Sequence, residues 1–267
     1  MFSPKEPTAM SSPSPFDLTG RVAIVTGGNG GIGLGMAKGL ARAGAAIVIA
    51  ARDQKKSAAA AEELQKIGAR VATVEVDVQD KASVERMVQA ALDRFQRIDI
   101  LLANAGINIR KAPQDYTPEE WQTVLDVNLN GPFYCAQAVY PAMKKQGGGK
   151  IITTGSMTSI FGVPFAPAYS TSKGGIVQMS KSLATAWAKD NIQVNCILPG
   201  WIDTDLTKAA RKQVEGLHDR VVARTPAGRW GDPEDFAGVA VFLSSKASDF
   251  ITGVALPIDG GYSVLGG

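Results

Sequence analysis

The chain has 267 residues, 45% of them hydrophobic and 20% charged, a balance that suits a globular protein long enough to bury a substantial core. Its formal charge of +3 is small, and Lys and Arg alternate with Asp and Glu, so no basic stripe marks a nucleic-acid or membrane surface. Nothing approaches the ~18 consecutive apolar residues that span a bilayer, and Cys135 and Cys196 lie in apolar runs without a partner at metal-ligand or redox spacing. They read as buried free thiols in a reducing compartment, and the expected location is cytoplasmic.

In chain order, residues 1–16, "MFSPKEPTAMSSPSPF", are rich in Pro and Ser and lack an apolar h-region, so they are expected to form a flexible leader rather than a secretion signal. A single domain over 17–267 follows. The first strand is "RVAIVT" (21–26). It runs directly into "TGGNGGIG" (Thr26 to Gly33), which opens a helix continuing "LGMAKGLARAG". Gly28, Gly30 and Gly33 match G-x-G-x-x-G, and the position between a first strand and a first helix is the context a dinucleotide turn requires.

The second strand, "AAIVIAA" (45–51), ends in Ala50, Ala51, Arg52 and Asp53. A carboxylate here holds the free 2′-hydroxyl of NAD, whereas an arginine accepts the 2′-phosphate of NADP. Arg52 follows a position without an acid and favours NADP(H) over NAD(H). Asp53 becomes the hydroxyl ligand if the strand runs one residue further. Neither Asn29 nor Gly30 adds a second positive charge from the loop.

Strands continue with "RVATVEV" (70–76), "IDILLAN" (98–104), "KIITTG" (150–155), "IQVNCI" (192–197) and "VALPID" (254–259). Most are apolar throughout, as strands covered on both faces are. Long helices are expected over 117–145, where Thr117, Pro118 and Glu120 spell a capping box, and over 168–189; "DPEDF" (232–236) repeats the capping grammar. Strand and helix alternating in this way predict an α/β fold, a doubly wound parallel seven-stranded sheet with helices on both faces. Residues 203–230 contain no strand and are a candidate substrate lid.

In "AYSTSKGG" (168–175), Tyr169 and Lys173 are one helical turn apart and share a face. Spacing alone describes a packing tyrosine beside a solvated lysine just as well. Ser156, at the end of the fifth strand, adds a third polar group at the carboxyl edge of the sheet, where open α/β folds bind ligands.

With these elements in place the chain resembles the short-chain dehydrogenase/reductase family over residues 17–262. The resemblance rests on "TGGNGGIG", Asp77-Val78, "NAG" (104–106), Asn128 in "DVNLNGPF", Ser156, "YSTSK", "PGWIDT" (199–204) and "IDGG" (258–261). It implies a Rossmann fold and an oxidoreductase interconverting a ketone or aldehyde with a secondary alcohol by hydride transfer. Tyr169 would be the acid or base, its phenol made more acidic by Lys173; Ser156 would bond the substrate oxygen, and Asn128 would help hold a proton-relaying water. Gly27, Asn29, Gly31, Ile32 and Gly33 would line the pyrophosphate turn, Arg52 the adenosine ribose, and Asp77 and Val78 the adenine. Asn104, Ala105 and Gly106 would border the ribose side, Lys173 the nicotinamide ribose, and Pro199, Gly200, Ile202 and Thr204 the nicotinamide end. No metal takes part.

Within the family, "GINIRKAP" (106–113), "TAWAKDNIQVN" (185–195) and "PAGRWGDPEDFAG" (226–238) are similar to the gluconate 5-dehydrogenase and 2-deoxygluconate 3-dehydrogenase branch. Arg110 would then meet a substrate carboxylate, while Trp201, Ile160, Phe161 and Phe165 would give an apolar mouth suited to a bulkier ketone. The lone His218 reads as a surface residue. Apolar side chains such as Trp121, Phe133, Tyr134, Val177, Met179 and Trp187 cover more than one face of the long helices, which together with the family's habit points to a homotetramer or homodimer. A non-catalytic dinucleotide-binding regulator on the same fold is the competing reading, and a lyase or epimerase a third, for which the C-terminal region is short.

Overall fold

The computed structural model describes residues 14–266; the greater part of the expected leader, residues 1–13, lies outside the described residues. Seven strands, β1 (Val22–Thr26), β2 (Ala46–Ala51), β3 (Val71–Glu75), β4 (Ile100–Ala103), β5 (Gly149–Thr154), β6 (Ile192–Pro199) and β7 (Ala255–Ile258), form one sheet in the order 3-2-1-4-5-6-7. Every pairing is parallel. All the strands expected from sequence are present, and β6 runs on to Pro199 because Leu198 and Pro199 pair with Pro257 and Ile258 of β7.

The helices are α1 (Gly31–Arg42), α2 (Gln54–Lys66), α3 (Lys81–Phe95), α4 (Pro118–Leu125), α5 (Gly131–Lys145), α6 (Pro167–Trp187), α7 (Asp205–Gln213), α8 (Leu217–Arg224) and α9 (Ala237–Ser244). The unbroken apolar character of β1 has a direct cause. Val22 and Ile24 join one core cluster with residues of α3, α5 and α6, while Ala23 and Val25 join another with residues of α1, α2 and α9. Both faces of the strand are covered, so neither face needs polar residues. Cys135 in α5 and Cys196 in β6 are buried free thiols, and burial pushes Cys135 up to about 12.

Thr117 and Glu120 close the expected capping box at the head of α4, the Glu120 amide donating to Thr117 Oγ1 at 3.2 Å and the Thr117 amide to Glu120 Oε2 at 3.1 Å. The helix expected over 117–145 is not uniform, however. A five-residue π-helical turn, Asp126–Asn130, separates α4 from α5. Asp232 caps as expected, though the first turn, Pro233–Phe236, is 3₁₀ before α9 begins. Segment 203–230 holds α7 and α8 and no strand, and an isolated bridge between Ile202 and Gly231 joins the chain on either side of it. Among the described residues no helix is long and apolar enough to cross a membrane.

Chain order sets the position of the site. From β1 the chain moves outward to β2 and β3, then crosses back to β4 on the other side of β1. The loops leaving β1 and β4 therefore diverge, opening a crevice at the carboxyl ends of the strands.

Candidate functional site

The glycine turn forms one wall of this crevice. Gly27 and Gly31 take left-handed φ values of +64° and +49°, which reverse the chain sharply between β1 and α1. A Cβ on Gly30 would meet nothing within 4 Å and would project into the crevice that Gly30 lines. Gly33 plays a different part from the one expected. Its added Cβ would lie 2.3 Å from the Gly27 carbonyl oxygen and 2.6 Å from the Asn104 amide, so it lets α1 pack on the turn and does not line the crevice. Gly28 likewise packs against Val25. Asn104 braces the turn from β4, its amide donating to the Thr26 carbonyl at 3.2 Å.

The crevice has two compartments of about 320 and 330 Å³ that share Gly27, Asn29, Ala105 and Gly106. Arg52, Asp77 and Val78 line the first; Gly31, Ile32, Asn104, Ser156, Tyr169, Lys173, Pro199, Gly200, Ile202 and Thr204 line the second. Every cofactor residue expected from sequence, Gly33 excepted, is thus brought to one place. The open cradle at Gly30 and the Thr154 hydroxyl, buried on the crevice wall without a hydrogen-bond partner, suit an extended polar dinucleotide.

The structure also bears on the ambiguity at the end of β2. Arg52 and Asp53 are both exposed and both line the compartment, but Asp53 is also the N-cap of α2, its carboxylate accepting from the Lys56 amide at 3.0 Å. Lys56, which sequence reasoning missed, lines both compartments and reaches across to Asp205 at 3.0 Å, joining α2 to α7. Its place in the first turn of α2, just after Arg52 and Asp53 at the end of β2, was the available signal.

Ser156 follows β5 and its hydroxyl accepts from the Thr158 amide at 3.1 Å. Tyr169 and Lys173 face each other from one side of α6, with Lys173 Nζ 5.5 Å from the centre of the tyrosine ring. Lys173 is 3% exposed and donates to the Thr154 carbonyl at 2.6 Å; burial lowers it to about 8. Here the electrostatics differ from the expectation. Enclosure raises the Tyr169 phenol above its ordinary value, and the opposing pulls come from the Ser156 hydroxyl and the Arg110 charge, not from Lys173. The ammonium lies over the ring and is turned to the Thr154 carbonyl.

Asn128 lies in the π turn and is fully buried. Its amide donates to the Ile107 carbonyl at 2.9 Å and to Ser172 Oγ at 3.1 Å, and its oxygen accepts from the Ile107 amide at 2.9 Å. With its side chain committed in this way, Asn128 ties the loop after β4 to α6.

On the far side of Tyr169 lies a second cavity of about 430 Å³. Ser156, Tyr169, Pro199 and Gly200 belong to both spaces, so the phenol stands at their junction. Trp201, Phe161 and Phe165 line it as expected; Ile160 does not and is 55% exposed. Arg110 enters from the loop after β4, donates to the Leu206 carbonyl of α7 at 3.3 Å, and is held below its ordinary value by burial. Leu206 and Thr207 bring the start of the 203–230 segment to this wall, and Arg224 and Tyr262 bring two residues that sequence reasoning missed. His218 is exposed, its ring stacked parallel to Trp230 at 6.2 Å, away from the chemistry.

A family model described as Enoyl-(Acyl carrier protein) reductase matches residues 27–263. The chain is 38% identical over 255 residues to gluconate 5-dehydrogenase of Gluconobacter oxydans (strain 621H), covering 96% of this chain and 99% of that protein. It is 41% identical over 249 residues to 2-dehydro-3-deoxy-D-gluconate 5-dehydrogenase of Bacillus subtilis (strain 168), covering 92% and 96%. Among solved structures it is similar to a gluconate 5-dehydrogenase from Burkholderia cenocepacia J2315 in complex with NADP and tartrate. The TM-score there is 0.89, with 39% identity over 94% of this chain and 98% of the other.

Proposed function

The chain belongs to the short-chain dehydrogenase/reductase family, and from that premise we propose that Tyr169 moves the proton while a hydroxyl of a sugar acid and the corresponding ketone interconvert. It is an NAD(P)-dependent oxidoreductase acting on an alcohol or ketone carbon. Bound in the crevice, the nicotinamide cofactor supplies the hydride acceptor for oxidation and the donor for reduction. The observation that carries the reading is that Ser156 and Tyr169 are shared by the glycine-turn crevice and the arginine-bearing cavity.

The residues divide the work accordingly. The Tyr169 phenol, raised by its enclosure, holds its proton in the resting protein and is ready to give it to a carbonyl oxygen. When the phenolate forms, the Ser156 hydroxyl and the Arg110 charge favour it. Ser156 Oγ hydrogen-bonds the substrate oxygen beside the phenol, and Arg110 receives the sugar-acid carboxylate through its planar fork. On the cofactor side, the turn amides from Asn29 to Ile32 would hold the pyrophosphate and Asp77 with Val78 the adenine. Lys173 would hold the nicotinamide ribose, and Pro199, Ile202 and Thr204 the nicotinamide end.

NADP(H) is the preferred cofactor in this reading. Arg52 and Lys56 place two cations at the ribose end, while Asp53 is engaged in capping α2, and the Burkholderia cenocepacia neighbour was solved with NADP. Helices α7 and α8 serve as the lid. Half-exposed apolar residues on α5, among them Phe133, and exposed ones flanking β7, Phe250 and Val254, support assembly as a homodimer or homotetramer. The presence of Asn128, Ser156, Tyr169 and Lys173 in one chain, the last three lining the crevice, supports catalysis over a purely regulatory role.

The test is absorbance at the reduced-nicotinamide band with NADP and with NAD, against sugar acids, polyols and neutral ketones. Turnover of a sugar acid with NADP is expected, and Arg52→Ala and Lys56→Ala should each raise the KM for NADP about tenfold, with little change for NAD. Turnover of neutral ketones alone would remove the sugar-acid assignment. Equal losses with both cofactors would return the ribose contact to Asp53.

A further inference from the structure

The cavity beyond Tyr169 is unusual in its charge. Two guanidinium groups line it, Arg110 and Arg224, and no Asp or Glu does. Neither arginine makes an ion pair among the described residues. Arg110 is half-buried and Arg224 exposed, and with no acidic side chain on the wall the two give the cavity a positive field that favours an entering anion.

The two arginines are held differently. Arg110 is close enough to Tyr169 to bias its ionisation, whereas Arg224 is not among the charges that do. Arg224 instead lies over the rings of Tyr262 at 4.5 Å and Phe161 at 5.5 Å. Stacking fixes the plane of a guanidinium without using its N–H donors, and its side chain makes no hydrogen bond among the described residues, leaving the fork free for a ligand.

We propose that the substrate carries a second anionic group, and that Arg224 receives it while Arg110 holds the first beside the reacting carbon. This rests on the sugar-acid reading above and narrows it to an acid with two anionic groups, the second a carboxylate or a phosphate at the far end of the carbon chain.

Three probes sharing one six-carbon chain separate the possibilities: gluconate with one charged end, glucarate with a carboxylate at both ends, and 6-phosphogluconate with a terminal phosphate. Turnover is measured with NADP for the wild type, Arg224→Gln and Arg224→Lys. Affinity is measured by calorimetry on NADP-loaded Tyr169→Phe protein with and without Arg224→Gln, where no turnover interferes. The expected result is a kcat/KM at least about tenfold higher for glucarate or 6-phosphogluconate than for gluconate, with the preference erased by Arg224→Gln and partly restored by Arg224→Lys. Gluconate should be almost indifferent to the change, and calorimetry should show the same pattern. Which of the two is preferred identifies the second group as carboxylate or phosphate. An Arg224→Gln variant that weakens all three probes by one factor would overturn the proposal and make Arg224 a wall or a second ligand to a single carboxylate. Turnover of gluconate without any gain for glucarate or 6-phosphogluconate would overturn it while leaving the sugar-acid reading intact. Activity on neutral ketones alone would end both.

Discussion

Lys173 carries an electrostatic cost that can be measured without substrate or cofactor. Its ammonium is 3% exposed and has the Thr154 carbonyl as its partner at 2.6 Å, and burial brings it from 10.5 to about 8. Below pH 8 the folded protein must keep the buried charge, at a cost of about 3 kcal/mol. Between pH 8 and 10.5 the native state has released the proton that the unfolded chain still holds. The unfolded state binds more protons there, so the contribution of Lys173 to stability becomes less unfavourable as pH rises. Denaturant unfolding of cofactor-free protein should therefore show the wild type gaining on Lys173→Met by up to about 3 kcal/mol across that window. Parallel pH profiles for the two proteins would mean that the ammonium is not buried as described.

Among the elements, α1 shows two glycines of opposite purpose. A Cβ on Gly35 would lie 2.0 Å from the Pro233 carbonyl oxygen, where α1 meets the turn leading into α9. Gly35→Ala should cost about 1–3 kcal/mol and lower the melting temperature. Gly30, one turn earlier, has extended backbone and open space where its Cβ would be. Gly30→Ala should leave thermal stability nearly unchanged and weaken dinucleotide binding measured by fluorescence titration. A large stability loss at Gly30, or none at Gly35, would reverse the two assignments.

Such distinctions were not legible in the sequence. All glycines of "TGGNGGIG" look alike there, and only the fold shows that Gly33 packs while Gly30 faces the crevice. The strands were legible because coverage on both faces leaves continuous apolar runs such as Val22–Val25, and the head of α4 because Thr117 and Glu120 are local partners. The π turn at Asp126–Asn130 was not legible, since a single extra residue in a turn hardly disturbs an apolar pattern.

For the whole molecule, the order 3-2-1-4-5-6-7 creates the crevice and brings residues far apart in the chain to its two sides. The motifs named from sequence were sufficient to find the crevice and its serine, tyrosine and lysine. The second cavity was harder to read: Arg110 was named from sequence, but Arg224 and Tyr262 come from separate regions that join it only through the fold. A charged residue in the amphipathic α8 carries no local mark of facing a cavity. Lys173 shows the same limit in its electrostatics: helical spacing correctly placed it beside Tyr169, but its burial and its bond to Thr154 are tertiary facts.

At the junction of the two cavities, the Tyr169 phenol is the group proposed to transfer the proton. Cofactor titration and reduced-nicotinamide absorbance on Tyr169→Phe test it together. Dinucleotide affinity should stay within about threefold of the wild type while turnover falls by at least about a hundredfold. Turnover at the wild-type rate, with the phenol gone, would contradict the account.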